Sequence, residues 1–140
     1  MTETALRKLL NENATLKLGT ASSEAEPWIA TAYFVEKDLF TLQVLIENTG
    51  RTLTNIRANP KLALMVENGD AMALFGQASA AAVVIDEQHE QVRAAIAKKT
   101  PASAPLVGLE GLIAVQFNVQ RWRLTHVAAG WIPGKELQRA

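Results

Sequence analysis

No cysteine occurs among the 140 residues, which excludes disulfides, thiolate metal sites and cysteine nucleophiles and fits a cytoplasmic protein. Histidine is almost as scarce: His89 falls in a charged helical segment and His126 near the C-terminus, neither at ligand spacing from another His or a carboxylate cluster. Net charge is also missing, because Lys+Arg 14 balances Asp+Glu 14, so the chain lacks the electrostatic footprint of a nucleic-acid or anionic-membrane binder. No run approaches the roughly 18 apolar residues of a membrane span, and the first residues lack an apolar signal segment. A soluble, cytoplasmic chain is the expectation. Catalytic signatures are missing as well: there is no Gly-x-Ser-x-Gly, no Gly-x-Gly-x-x-Gly and no P-loop. Ser22, Ser23, Ser79 and Ser103 have no base nearby in sequence, and Glu24 and Glu26 share a polar turn where solvation explains them. With so few groups able to do covalent or acid–base work, an enzyme built on this chain would need a bound cofactor to carry the chemistry.

What is present is apolar material in short extended runs. Hydrophobic residues make up 49% of the chain, enough for one core, and residues 1–140 read as a single domain. Thr2 to Leu10 places Leu6, Leu9 and Leu10 at helical spacing behind a Thr2 or Thr4 cap. Strand patterns follow at Leu16 to Ser22, Trp28 to Glu36 and Leu39 to Ile46, the last apolar enough to be buried on both faces. Lys61 to Glu67 alternates, Asn68-Gly69 signals a hairpin, and Ala71 to Ile85 returns. Asp86 caps a helix to about Lys99, Thr100 to Glu110 reads as an ordered loop, Gly111 to Leu124 as a last strand, and Val127 to Ala140 as a tail. Six short strands joined mostly by tight turns, with two or three flanking helices, predict a mainly β fold: a mostly antiparallel split or closed barrel.

One segment interrupts the strands. Asn48 to Pro60 reads as a short helix that Pro60 stops at Asn59, with Thr49, Gly50, Arg51 and Thr52 in its first turn. A helix start presents free N–H groups and the positive end of the macrodipole, while Arg51 adds a fork of donors and Thr52 a hydroxyl. That combination suits a phosphate. The same segment also reads as a plain crossover helix with a solvated arginine.

The element order resembles that of the pyridoxamine 5'-phosphate oxidase-like FMN-binding split-barrel family. The resemblance rests on Pro27-Trp28-Ile29-Ala30-Thr31-Ala32-Tyr33-Phe34-Val35, on Leu39-Phe40-Thr41-Leu42, and on Gly50-Arg51-Thr52-Leu53-Thr54-Asn55-Ile56-Arg57-Ala58-Asn59-Pro60. Leu62-Ala63-Leu64-Met65-Val66 and Gly76 continue it, so it spans about Leu16 to Val84. The resemblance implies a homodimer that holds FMN in a cleft between subunits. It implies phosphate contacts from Arg51 and Thr52, with the Thr49 hydroxyl in reach, and ring and ribityl contacts from Thr31, Ala32 and Tyr33. It further implies third-strand contacts at Thr41, Leu42, Gln43 and Val44. Trp131 reads more simply as a packing residue than as a cover over the flavin.

Two departures qualify the likeness. Many relatives carry Lys where Thr52 stands, which removes one positive charge from the phosphate end. Arg121-Trp122-Arg123-Leu124 corresponds only loosely to the basic C-terminal segment of the vitamin-forming oxidase, so that particular activity is not expected. Two functions stay open: an FMN-dependent oxidoreductase moving a hydride to or from a small substrate, and a non-enzymatic flavin, deazaflavin or haem carrier on the same fold.

Overall fold

The computed structural model describes all of residues 1–140. Seven strands form: β1 (Thr15–Ala21), β2 (Pro27–Asp38), β3 (Thr41–Glu47), β4 (Lys61–Glu67), β5 (Phe75–Val84), β6 (Leu112–His126) and β7 (Trp131–Gln138). Helices α1 (Thr2–Glu12), α2 (Arg51–Ala58), α3 (His89–Lys99) and α4 (Ala104–Val107) are set between them. Every strand pairing is antiparallel. The order β3-β2-β1-β4-β5-β6 closes on itself through β3–β6, giving a six-stranded barrel with no free edge in the ring, and β7 adds to the far half of β6. The mainly β barrel expected from the sequence is therefore present.

Alternation explains how the ring fills. Leu16 and Leu18 on β1, Leu62, Leu64 and Val66 on β4, and Val115, Phe117 and Val119 on β6 point into one 23-residue core, which Leu6, Leu9 and Leu10 of α1 join. β3 is buried on both faces, as its composition predicts: Leu42, Val44 and Ile46 face the barrel, while Leu45 meets Val92 and Ile96 of α3 in a second cluster. Gly76 sits where an added Cβ would come within 3.2 Å of both Leu124 and Trp122 and 3.3 Å of Leu9. Gly76→Val is expected to cost about 1–3 kcal/mol by overpacking, read from a denaturant melt.

Several boundaries differ from the sequence reading. The β2–β3 hairpin turns at Leu39-Phe40 instead of Lys37-Asp38, because the Asp38 carboxylate accepts the Phe40 N–H at 2.8 Å. Asn68-Gly69 opens a longer connection than a two-residue hairpin; the Asp70 carboxylate accepts the Met72 N–H, and β5 starts only at Phe75. Asp86 does not cap α3. Its carboxylate accepts the Ala114 N–H at 3.2 Å, and a 3-10 turn over Asp86–Gln88 precedes the helix. Within the expected loop of residues 100–110, Ala104–Val107 forms a helical turn. The tail becomes β7, with a left-handed Gly130 making the reversal and Trp131 and Leu137 packing on the core.

A charged clamp ties α1, α3 and β2 together. The Lys99 ammonium donates to Glu36 at 2.7 Å and to the Leu10 carbonyl at 2.9 Å, and lies 3.6 Å from the Phe34 ring centroid. Burial lowers the Lys99 pKa, and the Glu36 carboxylate opposes that shift. Lys99→Met leaves the Glu36 carboxylate and the Leu10 carbonyl without their donor, so a loss of about 1–3 kcal/mol is expected in chemical denaturation.

Candidate cofactor groove

A groove with a mostly apolar lining is built by β2, the ends of β1 and β3, the start of α2, and α4. Its volume is about 580 Å³, within the span of roughly 300–1,000 Å³ common to small-molecule and cofactor sites. Trp28, Ile29, Ala30, Ala32, Leu45, Ile46, Leu106, Val107 and Leu112 supply its apolar surface. Gly50, Arg51 and Thr52 form the polar end.

That end follows from local chain geometry. α2 begins at Arg51, with Gly50 as an extended N-cap and Thr49 just outside the helix, two residues later than the sequence suggests. Gly50 offers no capping side chain, so the first N–H groups of α2 have no side-chain cap. The Arg51 guanidinium lies 4.4 Å from the Trp28 ring centroid and 3.8 Å from the Glu26 carboxylate. Both Arg51 and Glu26 are more than half exposed, so this ion pair leaves the guanidinium available to a ligand. Glu47 is the one acid lining the groove, and its carboxylate accepts the Thr49 hydroxyl at 3.2 Å.

Of the residues singled out in the sequence, Thr31, Ala32, Tyr33, Arg51 and Thr52 converge on this groove. Thr49 is exposed beside its polar end. Thr41, Leu42, Gln43 and Val44 lie elsewhere: Leu42 and Val44 fill the core, the Gln43 amide donates to Gln116 at 3.0 Å, and Thr41 accepts from Arg139. Trp131 packs against the barrel and meets His126 edge-to-face, away from the groove. Sequence reasoning missed Glu26 and Trp28 as partners of Arg51, since only the β1–β2 pairing brings that turn to the start of α2. It also missed Leu106, Val107 and Leu112; Pro105 before two apolar residues was the only local hint of a short helix.

No histidine, methionine or cysteine lines the groove, and nowhere in the molecule do three His, Cys, Asp or Glu side chains gather as a metal set. No helix is long and apolar enough to cross a membrane. The groove offers an apolar wall beside a polar corner that carries Gly50, Arg51, Thr52 and the Glu47 carboxylate.

Residues 2–126 match the family described as pyridoxamine 5'-phosphate oxidase, and the chain belongs to that family. Solved structures of the same fold include HutZ, a haem storage protein from Vibrio cholerae, with a TM-score of 0.71 and 22% identity over 84% of this chain and 89% of that one. A haem-binding protein from Mycobacterium smegmatis superposes with a TM-score of 0.79 and 15% identity, covering 99% of this chain but only 58% of the larger protein. A NimC/NimA family protein from Clostridium acetobutylicum gives 0.70 and 14%, covering 99% and 94%. No curated protein matches the chain.

Proposed function

We propose that this protein binds FMN in the groove between β2 and α2 and serves as a flavin-dependent oxidoreductase. The observation that carries the reading is the meeting, in one groove, of an apolar wall with a helix start bearing Arg51 and Thr52. The residues fit the group. Arg51 would give in-plane donors to the phosphate, and the Thr52 and Thr49 hydroxyls and the first α2 N–H groups would complete its shell. Ile29 gives an apolar surface for the ring, Tyr33 an aromatic contact and Thr31 a hydroxyl for the ribityl chain, all three on one face of β2, while Ala32 faces the core and offers only its backbone beside them.

When bound, FMN supplies the hydride acceptor and donor that the side chains lack. The chain's own part is to fix the tail by charge and the ring by apolar contact, and to keep water from one face of the ring. The rim is apolar and open: Ile29 is 70% exposed, Leu106 49% and Trp28 41%. A second copy of the chain covering that rim completes the site, so a cytoplasmic homodimer is part of the proposal.

A haem, flavin or deazaflavin carrier is the second reading, and its haem form is favoured by two solved neighbours, one a haem storage protein and the other a haem-binding protein. Tyr33 is the one groove side chain of a type that ligates haem iron, and no histidine, methionine or cysteine accompanies it. This donor set weighs towards flavin. An absorbance spectrum of the purified protein and of its heat-released supernatant separates the two. Flavin bands released by heat support the proposal, and a Soret band overturns it. Bleaching of those bands by NADH or NADPH is expected of the oxidoreductase, and a flavin inert to both marks a carrier.

A further inference from the structure

The start of α2 is held by two contacts that share one geometry. Asn55 and Arg51 are four residues apart, so they lie on one side of the helix, one above the other. Thr20 on β1 and Trp28 on β2 are direct cross-strand partners, so they lie on one face of the sheet. The helix pair engages the strand pair: the Asn55 amide donates to the Thr20 hydroxyl at 3.0 Å, and the Arg51 guanidinium stacks over Trp28.

The Asn55–Thr20 contact is the buried half of this lock. Asn55 is 2% exposed and Thr20 5%, amid otherwise apolar packing by Leu53 and Ile56. Two apolar residues of similar size would bury as well without a desolvation cost. What they would not supply is direction. α2 has only eight residues and about two turns, and its apolar anchors Leu53 and Ile56 permit sliding and rotation against β1 and β2. A hydrogen bond from a planar amide permits neither.

We propose that Asn55 and Thr20 are positioning residues that fix the rotation of α2 and so aim Arg51 and the first α2 N–H groups at the ligand's phosphate. The inference rests on the FMN reading of the same groove. A slip of one residue along α2 turns its start by about 100° and carries Arg51 off the Trp28 face.

The test compares FMN with riboflavin, which lacks the phosphate, by fluorescence titration. Wild type is expected to prefer FMN by about tenfold or more. Thr20→Val/Asn55→Leu replaces both partners with apolar groups and so spares the fold. In it, FMN affinity should fall by about tenfold while riboflavin affinity stays within about twofold. Thr20→Ser, with Asn55 in place, keeps the hydroxyl and should retain the wild-type preference. Should the double variant fail to fold, Thr20→Val alone is read in the same way, with riboflavin binding as the check on the groove. An unchanged FMN-to-riboflavin ratio in the apolar variants overturns the positioning role alone. A wild-type protein that binds both flavins equally, or neither, overturns the FMN reading and this inference with it.

Discussion

Trp122→Ala is expected to lower the unfolding free energy by about 3–5 kcal/mol, the largest single loss the structure supports. Trp122 is fully buried on β6, with Gly76 of β5 pressed against its ring. Its indole N–H donates to the Leu39 carbonyl at 2.7 Å, satisfying the backbone where β2 turns into β3. Truncation removes an aromatic volume that no neighbour can refill and orphans a buried carbonyl. Trp122→Phe keeps most of the volume and loses the bond, so a smaller cost of about 1–3 kcal/mol follows. Denaturant unfolding checks both. A loss under about 1 kcal/mol for the alanine variant would mean that the barrel repacks around the gap.

Arg51→Ala carries the second large effect, on binding instead of stability. A charge-assisted bond to the phosphate is worth about 1.5–3 kcal/mol, so FMN affinity should fall by roughly 10- to 150-fold. Riboflavin affinity should hold, because the ring surfaces are untouched. The fold should also hold, since the Arg51–Glu26 pair is exposed at 3.8 Å and contributes little. Arg51→Lys should recover part of the loss: an ammonium keeps the charge but neither the fork nor the stacking on Trp28. Equilibrium titration of the three proteins with both flavins measures this, and equal FMN affinities would remove Arg51 from the site.

Much of the fold was readable because strand alternation and turn chemistry are local. β4 was placed residue for residue by Leu62, Leu64 and Val66 and the breaks on either side. β7 was not, because Pro133-Gly134-Lys135-Glu136 shows no apolar alternation; pairing with β6 and the packing of Trp131 and Leu137 make it a strand. The hairpin after Asn68 was misjudged for a similar reason, since the Asp70 side chain extends the turn beyond the positive-φ pair.

The site was legible in proportion to how local it is. Arg51 and Thr52 sit next to each other at a helix start, and Thr31 to Tyr33 follow each other on one strand, so a motif can carry them. The third-strand residues came from likeness alone. In this barrel their side chains are engaged by the core, by Gln116 and by Arg139. Glu26, Trp28 and Thr20 were invisible as partners of α2 because their proximity depends on the β1–β2 register.

The most direct test is to follow the backbone amide resonances of Arg51, Thr52 and Leu53 while FMN, and separately riboflavin, is added to the labelled protein. Saturable shifts of these amides with FMN but not with riboflavin are the predicted result. Flavin binding that leaves the start of α2 unmoved would contradict the account, as would no binding of either flavin.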